Sequence, residues 1–429
     1  MCGIAGFLAP NHHGNQEDLV SRMALAVQHR GPDDYGSWVD EQSGIALGHR
    51  RLSVLDLSQA GHQPMNSASA RWVIAYNGEI YNHLELRQRL EAERKAPRWR
   101  GHSDTETILA CIDAWGIEGA LQSIVGMFAI ALWDREERAL ALVRDRLGEK
   151  PLYYGWQGDA FLFGSELKVL QAHSSFKGKI DRGALSLLLR HNCVPAPYSI
   201  YEGVHKLRPG HLVRIPYGSR AADGAPVSEP YWSMNEIVED GLRNPFEGSE
   251  TDSVDVIETQ LKESIASQML SDVPLGAFLS GGIDSSTVVA LMQTQSDRPV
   301  KTFTIGFDEG SHNEAAHAKT IAQHLGTEHT ELYVRSDDAL AVIPRLSSIY
   351  CEPFGDSSQI PTFLVSQLAR EHVTVALSGD AGDELFGGYN RYVTARRLWG
   401  RVQKLPKMVR RAIASILHSV SPRKWDSVV

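Results

Sequence analysis

One stretch of this sequence decides how its second half folds: Ser280-Gly281-Gly282-Ile283-Asp284-Ser285-Ser286. It stands between an apolar run of strand length at residues 273–279 and an apolar run typical of a helix at residues 287–292. The sequence therefore predicts a strand that turns through two glycines into a helix N-terminus. Such a turn binds anions, because the first N–H groups of the helix are free, the helix dipole is positive there, and glycine lets a phosphate approach the backbone.

The polar side chains of this stretch extend the anion site. Ser280, Ser285 and Ser286 supply hydroxyl donors, whereas the carboxylate of Asp284 repels a phosphate unless a Mg²⁺ ion bridges the two. An ordinary helix cap is the alternative, but a cap needs neither the two glycines nor the paired serines. The stretch has neither Walker A nor dinucleotide-loop spacing, and it resembles the pyrophosphate loop of the ATP-pyrophosphatases. That resemblance implies adenylation of a carboxyl or carbonyl oxygen with release of pyrophosphate.

Strands and helices alternate after this loop. Buried-type strands at 300–307 and 373–377 and helical runs at 313–325, 339–350 and 360–371 predict an α/β domain with a doubly wound parallel sheet. Ligands of such sheets bind at the carboxyl ends of the strands, where Ser280, Gly306 and Ser378 fall in this sequence.

The strand that ends at residue 377 leads into an acidic, glycine-rich segment, Ser378 to Tyr389. Asp383 in this segment is a candidate second carboxylate for Mg²⁺, opposite Asp284, and Gly379 allows ribose or adenine to lie against the backbone. A solvent loop is the alternative interpretation, and the position directly after a buried strand argues against it.

Composition limits the remaining possibilities. The 429 residues suffice for two or three domains, and a net charge of −9 without a dominant basic run argues against nucleic acid as a partner. Four cysteines are too few for a disulfide framework, and the N-terminus lacks the basic region of a signal peptide. No apolar run reaches the ~18 residues of a membrane span. We therefore expect a cytoplasmic protein that does not associate with membranes.

The second residue, Cys2, is a candidate nucleophile. Once Met1 is removed, the Cys2 thiol stands beside its own α-amino group, whose typical pKa of about 8 leaves part of it neutral and able to act as a base. The thiolate is the nucleophilic form of cysteine. A small buried residue in a first strand is the alternative, and Cys2 alone leaves both open.

Three later motifs bear on that choice. Arg50-Arg51 places a guanidinium beside an apolar strand, where it can grip a carboxylate through two hydrogen bonds. A strand at 72–76 ends in Asn77-Gly78, whose side-chain amide and backbone N–H form the donor pair of an oxyanion hole, although a hairpin turn also explains Asn-Gly. Ser103-Asp104-Thr105-Glu106 is typical of a helix cap.

In this order, and with cysteine at position two, the motifs resemble the class II, or Ntn-type, glutamine amidotransferase domain over residues 2–215. The resemblance implies that Cys2 attacks the side-chain amide of glutamine through a thioester, that Asn77 and Gly78 bind the oxyanion, and that glutamate and ammonia are released. It further implies that the α-carboxylate and α-amino group of glutamine are held by Arg51, Val54, Glu79 and Asp104.

Many strands and few helices favour an α+β fold for this domain, an αββα sandwich of two stacked sheets flanked by helices. Strands are predicted at 126–134, 139–144 and 161–166, and the charges between Arg144 and Tyr154 are interpreted as ion pairs between layers. Residues 216–252, rich in Gly, Pro, Ser and acidic residues, are the predicted linker. An amphipathic helix at 253–269 opens the second domain, residues 253–429.

With both halves in place, the chain resembles the asparagine synthetases that use glutamine, over nearly its whole length. The resemblance implies transfer of AMP from ATP to the β-carboxylate of aspartate with Mg²⁺, followed by attack of ammonia that has crossed an internal tunnel. It implies an ATP site made of Leu279, Ser280, Gly281, Gly282, Asp284, Ser285, Ile305, Ser378 and Gly379. Glutamine, aspartate and ATP are then the partners of the chain, and a homodimer is left open.

Two departures from the family pattern stand out. Many members carry Glu at the position of Asp380, where it accepts a proton from the incoming ammonia, and Asp is one methylene shorter. The family also continues beyond the position of Val429, so we expect an incomplete synthetase domain that ends in an amphipathic helix at 408–417. An amidotransferase for another carboxylate, in surface polysaccharide or specialised metabolism, is one alternative. A relic with only glutaminase or nucleotide-binding activity is the other.

Overall fold

A computed structural model describes residues 1–11, 14–307 and 314–419. The strands of the N-terminal part are β1 Gly3–Leu8, β2 Asp34–Asp40, β3 Ile45–Arg51, β4 Met65–Asn66, β5 Trp72–Ile80, β6 Gly126–Asp134, β7 Ala139–Arg144, β8 Tyr153–Gln157, β9 Ala160–Gly164, β10 His205–Lys206, β11 His211–Pro216 and β12 Ser228–Pro230. Its helices are α1 Gln16–Leu25, α2 His83–Ala92, α3 Asp104–Ser123, α4 Leu167–Gln171, α5 Arg182–His191 and α6 Met234–Arg243.

These strands form two six-stranded antiparallel sheets, in the orders β10-β8-β9-β1-β3-β2 and β12-β11-β7-β6-β5-β4. Alternation along β1 shows how they stack: Ile4 and Leu8 pack in the core shared with β5, β6 and β7, whereas Ala5 and Phe7 pack with α1 and α4. Helices α2 and α3 cover the outer face of the second sheet. The layers therefore run helices, sheet, sheet, helices.

The C-terminal part contains a four-stranded sheet in the order β15-β14-β13-β16, in which every neighbouring pair is parallel. Its strands are β13 Leu275–Phe278, β14 Lys301–Phe307, β15 Glu328–Val334 and β16 Val375–Leu377. Its helices are α7 Glu250–Gln268, α8 Ile283–Thr294, α9 Ala315–Leu325, α10 Ser336–Val342, α11 Leu346–Ile349, α12 Gln359–Arg370, α13 Gly382–Phe386, α14 Asn390–Val402 and α15 Lys407–Ser419. The predicted parallel sheet is confirmed, and its carboxyl ends lie along one edge.

The structure corrects the sequence prediction at several elements. Strand β5 does not end before Asn77: it continues to Ile80, and Asn77 lies opposite Ala129 in mid-sheet, so the hairpin-turn alternative is wrong. The helical run at 339–350 is two helices, because Pro344 lies in a 3₁₀ turn between them and lacks an N–H donor. Residue 313, the start of another predicted helix, lies outside the described residues, as do residues 420–429.

The charges after β7 also behave differently from the prediction. Arg144 donates to the carbonyl oxygens of Lys150, Leu207 and Gly148, at 2.8, 2.7 and 2.5 Å, and the Asp145 carboxylate accepts backbone N–H groups. These side chains thus hold a turn by its main chain instead of joining layers through ion pairs. The predicted linker is also partly ordered, since β12 and α6 lie within it and β12 pairs with β11.

Candidate active sites

The candidate nucleophile, Cys2, lies just before β1 and against the chain that follows β3. Its Sγ donates to the carbonyl oxygen of Leu52 at 3.7 Å, and its own carbonyl oxygen accepts from Arg30 Nε at 2.8 Å. With Met1 in place, burial raises the pKa of the Cys2 thiol, while burial lowers the pKa of the Met1 amino group to about 5. The Met1 amine is therefore neutral near pH 7, and the neutral form of an amine is the one that can accept a proton.

Asn77 has a side chain without hydrogen-bond partners. It is 1% exposed, and neither its amide oxygen nor its amide nitrogen has a partner among the described residues. A buried amide left in this state costs about 1–3 kcal/mol, so a ligand that supplies the missing partner is the natural explanation. Gly78 follows in the strand, and a Cβ there would lie 2.2 Å from the carbonyl oxygen of Met127.

Arg51 is held by the loop that follows β3. Its guanidinium donates to the carbonyl oxygens of Leu55, Asp56 and Ser58, at 3.1, 2.5 and 3.2 Å. A Cβ on Gly61 would lie only 1.9 Å from Arg51 Nη2, so a larger residue there would displace the guanidinium. Val54 belongs to the same loop. The three hydrogen bonds to carbonyl oxygens fix the orientation of the Arg51 guanidinium. This is the side chain that the sequence predicts to bind a carboxylate.

Glu79 and Asp104 form an acidic pair between β5 and the start of α3. Burial, reinforced by the negative charge of Asp104, raises the pKa of Glu79 to about 7. Asp104 Oδ2 accepts from the Tyr76 hydroxyl at 2.7 Å and from the Ile80 N–H at 3.0 Å, and burial raises the pKa of Asp104. Ser103 caps α3, as predicted, by accepting from the Glu106 N–H. The cap thus orients Asp104 towards β5.

Electrostatic coupling shows that Cys2, Arg51, Glu79 and Asp104 share one region. The charges of Arg51 and Asp104 both act on the Cys2 thiol, and β1 contacts β5 across the stacked sheets. Sequence reasoning missed Lys150 here: it is 6% exposed, donates to Met127 Sδ at 2.7 Å, and its charge acts on Glu79 and on the Met1 amine. No local pattern marks Lys150, because it lies 71 positions from Glu79 in the chain and only folding brings it there.

The pyrophosphate-type loop forms the predicted turn between β13 and α8. Gly281 adopts a φ of +83°, and Gly282 is the N-cap of α8. The predicted hydroxyl donors also bond within the loop: Ser280 Oγ lies 2.9 Å from Ser285 Oγ, and Ser286 Oγ donates to the carbonyl oxygen of Gly282 at 2.6 Å. The Ser280 N–H also donates to Ser285 Oγ at 3.2 Å and the Gly282 N–H to Ser280 Oγ at 3.3 Å, so these bonds hold the turn in shape.

The segment after β16 packs directly on this loop. A Cβ on Gly379 would lie 2.6 Å from the Ser285 nitrogen, and a Cβ on Gly382 would lie 2.5 Å from the Asp284 carboxylate. Asp383 is in the first turn of α13, its carboxylate against Gly388, and Ser378 Oγ donates to Asp380 Oδ2 at 3.0 Å. The fold thus places the elements carrying Asp284 and Asp383 side by side. The other two predicted nucleotide residues are the buried Leu279 and the half-buried Ile305 on β14.

Asp284 and Asp383 are the carboxylates that would hold a magnesium ion together with a nucleotide. No group of three or more His, Cys, Asp or Glu side chains that could hold a metal occurs in the described ranges. Mg²⁺ commonly takes one or two carboxylates and completes its shell with phosphate oxygens and water. Asp284 and Asp383 are two such carboxylates, and Gly382, the neighbour of Asp383 in the chain, closely approaches the Asp284 carboxylate.

A cavity of about 390 Å³ lies between the two domains. Its walls include Arg51 and Ser53 of the first domain and Val273, Arg370 and Thr374 of the second. Arg370 is close enough for its charge to act on the Met1 amino group.

Across the described chain, no helix is long and apolar enough to cross a membrane.

Known protein families match both the N-terminal and the C-terminal part of the chain. The chain matches the family "Glutamine amidotransferase domain" over residues 1–232 and the family "Asparagine synthase" over residues 256–428. Among solved structures, glutamine phosphoribosylpyrophosphate amidotransferase from B. subtilis is similar with a TM-score of 0.40 and 16% identity, covering 77% of this chain and 81% of that one.

Curated relatives extend the match across the domain boundary. "Putative asparagine synthetase (glutamine-hydrolyzing) 2" of Methanocaldococcus jannaschii is 36% identical over 96% of this chain and 79% of its own length. "Asparagine synthetase (glutamine-hydrolyzing) 1" of Bacillus subtilis is 36% identical over 91% of this chain, which spans only 59% of that relative. Two matching domains in the same order, with a relative matched over most of both chains, place this protein in the family of glutamine-hydrolysing asparagine synthetases.

Proposed function

We propose that this protein transfers ammonia from glutamine to an AMP-activated carboxylate, that of aspartate in the first instance, with conversion of ATP to AMP and pyrophosphate. We place the glutaminase site in the N-terminal domain and the synthetase site in the C-terminal domain, with the boundary between Pro230 and Glu250. The observation that carries the proposal is the buried, unpartnered amide of Asn77 in the region that holds Cys2, Arg51 and Asp104.

In the glutaminase half, the sulfur of Cys2 attacks the side-chain carbonyl carbon of glutamine, and the α-amine of Cys2 takes the thiol proton. Asn77 and the Gly78 N–H donate to the oxyanion, and the amine returns the proton to the departing ammonia. Water then hydrolyses the thioester and releases glutamate. Arg51 binds the α-carboxylate, while Glu79 and Asp104 bind the α-ammonium and Val54 lines the same pocket.

In the synthetase half, the backbone of the 280–286 loop, with Leu279, Ile305, Ser378 and Gly379, binds ATP. Asp284 and Asp383 would hold Mg²⁺, which neutralises phosphate charge as pyrophosphate leaves. The carboxylate oxygen of aspartate attacks the α-phosphorus, and ammonia then attacks the acyl carbon and displaces AMP. We assign to Asp380 the acceptance of a proton from that ammonia.

The test measures pyrophosphate and amide product with MgATP, aspartate and either glutamine or ammonia. We expect the Cys2→Ala variant to lose the glutamine-dependent reaction and to keep the ammonia-dependent one. The matched control is Cys193→Ala, which removes an exposed thiol and should keep both reactions. Glutamine hydrolysis by Cys2→Ala would contradict the nucleophile, and intact-mass measurement showing retained Met1 in active enzyme would contradict the amine base.

The acceptor is tested separately, because Asp380 is shorter than the glutamate of many relatives. Pyrophosphate release that requires aspartate supports the asparagine synthase activity. If ammonia supports pyrophosphate release with another carboxylate and not with aspartate, the protein is instead an amidotransferase for that acceptor.

A further inference from the structure

Asp272 lies in the short segment between α7 and β13 and reaches across to the first domain. Its N–H donates to the carbonyl oxygen of Val54 at 3.0 Å. Its Oδ2 accepts from the Asp56 N–H at 2.8 Å and pairs with His102 Nε2 at 2.8 Å. One residue of the second domain thus has three polar contacts with two separate segments of the first.

The first of those segments is the loop at residues 52–58, which shapes the glutaminase site. Its carbonyl oxygens at Leu55, Asp56 and Ser58 bind the guanidinium of Arg51, and that of Leu52 accepts from the Cys2 thiol. The bonds from Asp272 are to Val54 and Asp56, in the middle of this loop. A shift of the loop would therefore move Arg51 and the surroundings of the nucleophile together.

The second segment leads into α3. The N–H of His102 donates to Asp56 Oδ2 at 2.8 Å, and His102 stands two residues before Asp104. Asp56 Oδ1 also accepts from the Ser58 hydroxyl at 2.5 Å, and a Cβ on Gly101 would lie 2.1 Å from Asp56 Oδ2. Asp272 and Asp56 together thus tie the Arg51 side of the pocket to the Asp104 side.

Hydrogen bonds to the backbone carry more of this link than charge does. The side chain of His102 is 61% exposed and that of Asp272 is 39% exposed, so solvent screens their ion pair. The bonds to Val54 and Asp56 hold main-chain groups at the positions that fix the direction of Arg51. An oxygen acceptor at residue 272 is therefore required, whereas its charge is not.

We propose that Asp272 is a positioning residue through which the synthetase domain holds the glutamine pocket of the other domain in its binding geometry. The inference rests on the proposed glutaminase function. It adds that the glutamine site is incomplete without the segment that leads into the central strand of the nucleotide-binding sheet.

The test measures glutamine binding by calorimetry in a Cys2→Ala background, where glutamine is not consumed. We expect Asp272→Ala to weaken glutamine binding about tenfold, because the Asp56 N–H loses its acceptor. Asp272→Asn keeps an oxygen at that place and should stay within about threefold of the parent. The matched control is Asp297→Ala, which removes an exposed carboxylate between α8 and β14 and should leave binding unchanged.

A second readout separates positioning from general loosening of the protein. In enzyme with Cys2 intact, Asp272→Ala should raise the KM for glutamine and leave ammonia-dependent pyrophosphate release unchanged. Unaltered glutamine affinity in Asp272→Ala, or an equal loss of both reactions, would overturn the inference while the proposed function stands. If the Cys2→Ala parent itself fails to bind glutamine, the glutaminase assignment is wrong and this inference falls with it.

Discussion

At the scale of single residues, the most unusual environments lie two positions apart on β5, at Asn77 and Glu79. Side chains two apart in a strand point to the same face, so the unpartnered amide and the carboxyl with a raised pKa face the same region. A buried amide without partners and a buried carboxyl beside another carboxylate each make folding less favourable. Strain of this kind is typical of a site built for a ligand and not for stability.

Asn77→Ala should lower the turnover number for glutamine hydrolysis by about 100- to 1000-fold, the usual loss for one oxyanion donor. It should not lower the free energy of unfolding, because it removes a buried amide without partners. The measurement pairs steady-state kinetics with urea unfolding.

The control for Asn77 is Asn82→Ala. The Asn82 amide is satisfied, since it donates to the Ser123 carbonyl oxygen at 3.0 Å and accepts from the Val125 N–H at 2.9 Å. Its loss should destabilise the fold by about 1 kcal/mol with turnover preserved. Equal turnover in Asn77→Ala and the wild type would contradict the oxyanion assignment.

Glu79 should make stability depend on pH. The folded state keeps its proton up to about pH 7, whereas the ordinary pKa is 4.5, so the folded state binds more protons between those values and stability falls as pH rises through that window. The free energy of unfolding of Glu79→Gln should therefore rise by about 3 kcal/mol relative to that of the wild type between pH 4.5 and pH 8. Unfolding curves at several pH values measure this gain, and a constant difference would mean that Glu79 ionises normally.

At the scale of elements, the turn from β13 to α8 shows how two distant segments come together at the proposed anion site. Gly281, with its positive φ, and the N-cap Gly282 turn the chain from the end of β13 into α8. Gly379, in the segment after β16, packs against the first turn of α8. Parallel pairing of β13 with β16 is what brings the two segments to the same edge. The helix N-terminus is thus enclosed by backbone on both sides.

Gly379→Ala should prevent nucleotide binding, because its Cβ would lie 2.6 Å from the Ser285 nitrogen and push the two segments apart. The measurement is ATP binding together with glutaminase activity, which should survive. Gly400→Ala is the control: nothing lies within 4 Å of its added Cβ in α14, and alanine favours a helix by about 1 kcal/mol. Normal ATP affinity in Gly379→Ala would contradict the placement of the nucleotide.

At the scale of the whole molecule, polar contacts of residues 348–352 join the second domain to the first. One is centred on Glu352 of the second domain, whose carboxylate pairs with Lys206 and accepts from the Ile200 N–H at 2.7 Å. Another is formed by Lys168 Nζ, which donates to the carbonyl oxygen of Ser348 at 2.6 Å. Helices α14 and α15, by contrast, bury none of their described residues.

Glu352→Ala should loosen the domain contact, because the mostly buried ammonium of Lys206 loses its carboxylate partner, at a cost on the order of 3 kcal/mol. Limited proteolysis between residues 231 and 249 should become faster, and small-angle scattering should show a larger radius. Glu371→Ala removes an exposed carboxylate of the same domain and should change neither. Identical proteolysis of all three proteins would show that Glu352 does not hold the interface.

The sequence by itself determined those features of the fold that depend on residues close together in the chain. The glycine pair and serines of 280–286 specify a strand-to-helix turn through backbone freedom and capping, and the alternation of apolar runs specifies the parallel sheet, so both were predictable. The strands at 126–134 and 139–144 were also predicted with their observed bounds. The order of motifs after Cys2 indicated the family before any geometry was known.

Tertiary structure alone decided the rest, because it depends on which groups meet across long stretches of chain. Asn77 lies within a continuous strand because β6 pairs with it, and local turn preference cannot anticipate that pairing. Burial beside Asp104, and not the residue type, sets the raised pKa of Glu79, and folding alone brings in Lys150. The contact of Asp272 with the loop at 52–58 joins residues more than 200 positions apart, so only the packed domains reveal it.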